Sequence, residues 1–269
     1  MSLLQSNNPA MKVLESERAF GDEQVSRMTY SGTINATGIL LAIVASVGIL
    51  TWHKLNTIWT ATGGFPGWLW PVMLSGAFGA LVVGIVIYKK PKSARFMAPL
   101  HAVLEGAFVG GASFYFPMVY APMPEGVVLN PSALMAAQAA VATLVVAAVM
   151  LIGYASGILR VGETMQKVIL TAGAAVGVYV IALYLMRFIG FGGLWNGFTD
   201  IGPIGIGFSV LVIGLASLFL LLDFKYIEEG VESGAPKYME WVGAWGLMVT
   251  LVWLYIEILR LLAKMRSSD

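Results

Sequence analysis

Apolar residues along this chain are gathered into long blocks that short polar connections separate. After a polar stretch at residues 1–28, seven blocks follow, each long enough to cross a bilayer, since about 20 helical residues span about 30 Å of hydrocarbon. The blocks run over Tyr30–Trp52, Trp68–Tyr88, Phe96–Pro117, Pro131–Tyr154, Lys167–Phe188, Ile201–Leu222 and Trp241–Leu262. None shows the alternation of a membrane β-strand. The pattern therefore predicts an all-α integral membrane protein, a bundle of seven transmembrane helices.

Composition supports a lipid environment and narrows the function. Apolar residues make up 58% of the chain and charged residues 12%, with a mean hydropathy of +0.80. An average soluble domain carries about twice that charge, so most soluble enzyme classes are excluded, and we expect neither an enzyme nor a bound cofactor. The net charge of +1, with basic residues scattered in loops, gives no indication of a nucleic-acid partner. There is no cysteine, and the two histidines lie on different segments without metal-ligand spacing.

The chain begins with a polar leader that does not have the pattern of a cleavable signal. Residues 1–28 mix acidic and basic side chains and contain no apolar stretch of the length that a signal requires. We therefore predict two parts, a cytoplasmic leader at residues 1–28 and a single seven-helix membrane domain at residues 29–269. With the N-terminus inside, 11 of the 16 Lys and Arg residues lie on the inner side, which favours a cytoplasmic N-terminus and an outside C-terminus.

Three pairs of glycines are spaced four residues apart within the predicted helices. These pairs are Gly106/Gly110, Gly153/Gly157 and Gly173/Gly177. Such spacing lets helix backbones approach closely. We interpret all three as ordinary helix packing.

Ionisable side chains inside a membrane span are costly and indicate function by default. The spans and their ends contain His101, Glu105, Arg187, Asp223, Glu257 and Arg260. The helix rise places Glu105 about 15 Å and Asp223 about 10 Å from the inner face, which allows both to share one layer with His101. The same estimate places Glu257 about 32 Å from that face, in an outer layer with Arg187 and Arg260.

Several of these side chains also have structural interpretations. Glu257 and Arg260 have the i, i+3 spacing of an ion pair, and Arg187 is placed to extend to the outer interface. Asp223 fits an interfacial position on a helix that continues into the cytoplasm. Glu105 is the hardest to explain structurally, because it lies mid-span with only His101, four residues earlier, as a neighbour to share a proton. It indicates a polar path or a network that holds helices together.

Carboxylates along a narrow polar path attract hard cations, and oxygen ligands suit calcium. Two carboxylates close together share a proton, because both cannot ionise cheaply. A pore that passes calcium in one protonation state follows as a hypothesis, with Asp223 and Glu105 as transient calcium ligands. Proton-coupled transport uses the same groups and stays an alternative.

Specific stretches of the chain resemble a known family. They are Met28–Leu41 (MTYSGTINATGILL), Leu104–Ser113 (LEGAFVGGAS), Leu222–Ile227 (LDFKYI), Glu228–Pro236 (EEGVESGAP) and Leu254–Leu262 (LYIEILRLL). In their order over seven spans they resemble the Bax inhibitor-1/YccA family, and specifically its bacterial branch with a long polar leader. The resemblance implies a seven-helix bundle with the last helix central, in a cell membrane, and a pH-sensitive calcium leak.

The resemblance also implies roles for particular residues. An acidic pair on the sixth and last helices, matched here by Asp223 and Glu257, opens and closes the path. A basic residue at the end of the second span latches onto the pair, and its nearest matches are Lys89 and Lys90. This chain departs from the family in having Glu at the second position and 34 residues between the two acids. Our depth estimates differ by roughly 20 Å, which makes Glu105 the alternative partner of Asp223.

A different class of function fits the same sequence. The protein would then conduct no ion and would modulate a membrane protease or a stress pathway from within the membrane. Its effect would depend on the leader instead of on Asp223 or Glu105. The partners expected from the sequence are therefore the lipid bilayer, calcium and protons, and a membrane protein partner in this alternative.

Overall fold

The computed structural model describes residues 26–120, 131–190 and 198–267. Its helices, numbered here in chain order, are α1 (Tyr30–Thr62), α2 (Leu69–Lys89), α3 (Ala94–Tyr120), α4 (Pro131–Ala155), α5 (Glu163–Phe188), α6 (Pro203–Glu232) and α7 (Met239–Ser267), with a short 3₁₀ turn at Pro91–Ser93. Within these ranges, seven helices are long and apolar enough to cross a membrane. The predicted bundle of seven transmembrane helices is confirmed.

The ends of α1 and α6 differ most from the predicted spans. Helix α1 continues past Trp52 to Thr62, with Leu55 fully buried, and ends where Gly63 adopts a left-handed conformation with φ of 69°. Helix α6 continues past Leu222 to Glu232, where an i, i+4 contact of 3.7 Å between Lys225 and Glu229 lies on its surface. The predicted spans end where the apolar run ends. The helices continue beyond that point because a cap or an ion pair stabilises their polar turns.

Helix α7 lies at the centre of the bundle. It packs against α1, α3, α4 and α6, and 56% of its most apolar stretch is buried, against 6% for α5. Helix α5 lies at the periphery and packs mainly on α6. This arrangement confirms the expected central last helix.

Glycines permit the close contact between α3 and its two neighbours. A Cβ at Gly106 would lie 2.9 Å from the carbonyl oxygen of Val44 on α1, and a Cβ at Gly76 would lie 2.7 Å from that of Leu104 on α3. The packing interpretation fails for two other glycines of the predicted pairs. Gly157 lies beyond the end of α4 with φ of 77°, and a Cβ at Gly177 would contact nothing within 4 Å.

The last residues of the leader dock onto the connection between α6 and α7. The backbone N–H of Met28 donates to the carbonyl of Ala235 at 2.7 Å, and that of Lys237 donates to Ser26 at 2.8 Å. We call this face of the bundle the leader side and the opposite face the far side. The predicted leader at residues 1–28 is described only in these docked residues, since residues 1–25 lie outside the described part.

Glu240 fastens the start of α1 to the start of α7. Its Oε1 accepts hydrogen bonds from the Thr29 backbone N–H at 3.1 Å and from the Thr29 hydroxyl at 2.8 Å. The same hydroxyl accepts from the N–H of Gly32 and caps α1. This buried carboxylate is structural, and sequence analysis did not single it out.

Candidate functional site

His101 and Glu105 lie one above the other on the face of α3 that meets α2 and α7. His101 is buried, and its Nδ1 is 3.2 Å from Glu105 Oε2 without the geometry of a hydrogen bond. The imidazole meets the Trp245 ring of α7 edge to face, with centroids 5.8 Å apart. Gly84 of α2 leaves room for this contact, because a Cβ there would lie 3.1 Å from the indole.

Asp223 reaches α7 from the opposite partner helix, α6. Its Oδ1 lies 3.6 Å from the position that a Cβ on Gly246 would occupy, and the nearby Thr250 hydroxyl donates to the Gly246 carbonyl at 3.2 Å. Its Oδ2 is buried and has no hydrogen-bond partner among the described residues. No Lys, Arg or His in the described ranges forms an ion pair with it. Asp223 is therefore half-buried, with one buried carboxylate oxygen, and no cation among the described residues pairs with it.

These residues form one level of the bundle, which we call the leader-side polar layer: His101, Glu105, Asp223, Trp245 and Thr250. Within the part of the chain that the structure describes, four buried side-chain atoms lack a hydrogen-bond partner, and all four belong to this layer: His101 Nδ1, Glu105 Oε2, Asp223 Oδ2 and Trp245 Nε1. Buried polar atoms without partners are rare in native proteins and point to function. The layer is thus the candidate site.

The two carboxylates of the layer belong to different helices that pack on α7. Asp223 contacts Gly246, and His101 contacts its chain neighbour Trp245. Consecutive positions on a helix point about 100° apart, so α3 and α6 approach α7 from different directions. No hydrogen bond joins Glu105 to Asp223 among the described residues.

Glu257 and Arg260 form the predicted i, i+3 ion pair near the far side. Arg260 Nη1 donates to both carboxylate oxygens, at 3.0 and 2.8 Å, and Glu257 is only 3% exposed. The guanidinium also lies over the rings of Phe116, at 5.2 Å, and Phe198, at 4.8 Å. These distances are those of the structural ion pair that the i, i+3 spacing predicts.

Lys264 is fully buried beside this pair, which sequence analysis did not predict. Its Nζ donates to the carbonyl of Gly205 at 3.1 Å and to the Ser209 hydroxyl at 2.9 Å, which ties the end of α7 to the start of α6. We call Glu257, Arg260 and Lys264 the far-side charge cluster. A signal was present in the sequence, because the i, i+3, i+7 spacing places all three side chains on one helix face.

The acidic pair that the family resemblance implies is not formed. Asp223 lies level with Gly246 and Thr250, whereas Glu257 lies seven to eleven residues further along α7, about 10–16 Å away by the helix rise. Both oxygens of Glu257 are engaged by Arg260. The two acids therefore occupy different levels and have different neighbours.

The remaining predicted residues lie away from the polar layer or outside the described part. Lys89 and Lys90 are exposed at the leader-side end of α2, and neither forms an ion pair with Asp223 among the described residues. Arg187 belongs to α5, but its side chain lies outside the described part. Among the described residues, no three His, Asp or Glu side chains converge as a resident metal site requires.

Comparison with known proteins gives one result for the whole chain. The family model described as "Bax inhibitor 1 like" matches residues 8–267, which includes most of the leader and all seven helices. Comparison with curated proteins and with solved structures gives no match. Since the family model covers nearly the whole chain, this multi-pass membrane protein belongs to the Bax inhibitor 1 like family.

Proposed function

We propose that this protein is a pH-sensitive leak pathway for calcium, in which Asp223 attracts the cation within the membrane. The observation that carries the proposal is the half-buried Asp223, with one buried, unpartnered carboxylate oxygen and no ion-pair partner among the described residues. Carboxylate oxygens are preferred calcium ligands. An unneutralised carboxylate at membrane depth is a feature of ion and proton pathways.

Protonation of the layer sets the expected pH dependence. A deprotonated Asp223 attracts a cation, and a protonated one does not. The flux should therefore rise as pH rises.

Calcium flux into proteoliposomes that hold the purified chain tests the proposal from mildly acidic to mildly alkaline pH. Wild type should show flux that increases with pH. Asp223→Asn should lower the flux and flatten its pH dependence, because the amide stays neutral. Glu105→Gln should have a smaller effect in the same direction if Glu105 is part of the path.

Two further variants serve as controls. Glu229→Gln changes a carboxylate on the same helix whose side chain is 64% exposed, and should leave the flux unchanged. Glu257→Gln tests the acid that the family resemblance pairs with Asp223. Flux in Asp223→Asn equal to that of wild type at every pH would contradict a gating role for Asp223, and absence of flux above empty liposomes would contradict a channel.

A second function, modulation of a membrane protein partner without conduction, is favoured by the docked leader. Ser26 and Met28 hydrogen-bond to the connection between α6 and α7, which holds the end of the leader in one position. Deletion of residues 1–25 distinguishes the two functions. A leak pathway should retain its flux in liposomes, whereas a leader-dependent modulator should lose its effect in cells.

A further inference from the structure

A groove opens between α1 and α4 on the outer surface of the bundle. Its volume is about 560 Å³. Leu41, Ala45 and Trp52 line the α1 wall, and alanines of α4, among them Ala137, line the other. The floor includes Leu251 and Val252 of the central helix α7, which are buried within the protein. The gap between α1 and α4 thus reaches down to a part of α7 that other side chains otherwise cover.

The surface of the groove is apolar even where its residues carry hydroxyl groups. Ser113 and Tyr255 share a hydrogen bond of 2.7 Å, and the Thr143 hydroxyl donates to the carbonyl of Ala139 at 2.7 Å. Each hydroxyl is therefore already partnered within the protein. No charged side chain of the described residues lines the groove, so it selects for a hydrocarbon ligand.

The length of the groove corresponds to one leaflet of a bilayer. Its α1 wall extends from Leu41 to Trp52 and its α4 wall from Ala133 to Leu144, each about 16 Å by the helix rise. Half of the hydrocarbon thickness is about 15 Å. At the far-side end Trp52 Nε1 donates to Ser132 Oγ at 3.0 Å, and tryptophan is typical of the membrane interface. The groove therefore extends from mid-membrane to the far-side interface.

The walls of the groove suit a hydrocarbon chain. Its volume of about 560 Å³ is bounded by apolar side chains of α1, α4 and α7. Because close packing leaves few apolar spaces of this size empty, an apolar occupant is expected.

We propose that the groove between α1 and α4 is a binding site for the acyl chain of a far-side-leaflet phospholipid. The acyl chain lies against α7 at Leu251 and Val252, between the level of the leader-side polar layer and that of Glu257. This proposal does not depend on ion conduction.

Photolabelling of the full chain in liposomes tests the site. The liposomes contain a phospholipid with a diazirine in one acyl chain, and labelled peptides are mapped by mass spectrometry. Most of α5 is exposed, so surface lipids label it in any case, whereas Leu251 and Val252 line the groove and are only 7% and 6% exposed. The proposal predicts label on Leu251 and Val252 in wild type.

Two matched variants make the result specific. Ala45→Trp fills the groove, whereas Ala42→Trp places the same side chain at an exposed position on the same helix outside the groove. Label on α7 should be lost in Ala45→Trp and retained in Ala42→Trp, with label on α5 unchanged in both. Ala137→Trp, from the opposite wall, should repeat the loss, which guards against a folding defect in one variant.

Other outcomes would overturn the proposal. These are an α7 floor that stays unlabelled in wild type while α5 is labelled, or label on α7 that persists in both Ala45→Trp and Ala137→Trp. Displacement of the label by free fatty acid at a ratio where unlabelled phospholipid does not displace it would identify a free fatty acid as the occupant, and would also overturn it.

Discussion

At the scale of single residues, the ionisable groups inside the bundle differ in whether they have hydrogen-bond partners. The carboxylate of Glu257 accepts hydrogen bonds from Arg260, and the Lys264 ammonium donates to Gly205 and Ser209. Asp223 Oδ2 has no hydrogen-bond partner among the described residues, and Glu105 Oε2 and His101 Nδ1 have only their 3.2 Å contact with each other. Lys264 ties α7 to α6, and Arg260 neutralises Glu257 within α7, whereas Asp223 is available to bind a proton or a cation.

The far-side charge cluster should contribute to stability through the Glu257–Arg260 pair. Glu257→Gln removes the negative charge and leaves two buried cationic side chains, Arg260 and Lys264, without it. Breaking one partner of a buried pair costs about 3–5 kcal/mol. We expect the free energy of unfolding in mixed micelles to fall by about that amount.

The double variant Glu257→Gln/Arg260→Met is the control for this prediction. It removes both charges together and should recover much of the loss, because replacing a whole buried pair by uncharged side chains is often neutral. Equal stability of Glu257→Gln and wild type would mean that the pair contributes no net stabilisation. The same measurement shows whether flux changes in Glu257→Gln reflect function or folding.

At the scale of helices, the contact between α1 and α3 depends on glycines that face each other. A Cβ at Gly110 would collide with the carbonyl oxygen of Gly48 and lie 2.7 Å from Cβ of Thr51. The contact positions α3, and with it Glu105, against the rest of the bundle. Small residues at such a crossing allow backbone approach that any larger side chain prevents.

Gly110→Ala should therefore destabilise the bundle by about 1–3 kcal/mol, the usual cost of overpacking. Gly38→Ala is the matched control on α1, because a Cβ there meets nothing within 4 Å. It should leave the thermal unfolding temperature in detergent unchanged or slightly raised, since alanine is the better helix former. Similar unfolding temperatures for the two variants would contradict the close-contact explanation.

Helix existence was predictable from the sequence, and helix partners were not. The apolar runs predicted α2 almost to the residue, because length and hydropathy decide whether a segment crosses a bilayer. The glycine pairs were a less reliable guide to helix contacts. Gly106 and Gly110 mark a tight contact, while Gly177 contacts nothing, because spacing does not state which helix lies opposite.

At the scale of the whole molecule, an odd number of membrane-crossing helices leads us to propose that Ser26 and Ser267 lie on opposite sides of the membrane. We propose that the N-terminus is cytoplasmic, as the distribution of Lys and Arg favours. The chain has no cysteine, so single cysteines report on exposure directly. Ser26→Cys should react with an impermeant maleimide only after the cells are permeabilised, and Ser267→Cys in intact cells. The reverse labelling would establish the opposite orientation.

The seven spans, the membrane environment and the ionisable side chains within the spans were predictable from the sequence. These follow from composition and helix length, which are properties of each segment alone. The partners of the charged groups became known only from the packing of the helices. It placed His101 beside Trp245, gave Glu257 to Arg260, and buried Lys264 against α6. Partners across helices depend on rotation and packing about α7, and the polarity of one segment contains no information about its neighbour's orientation.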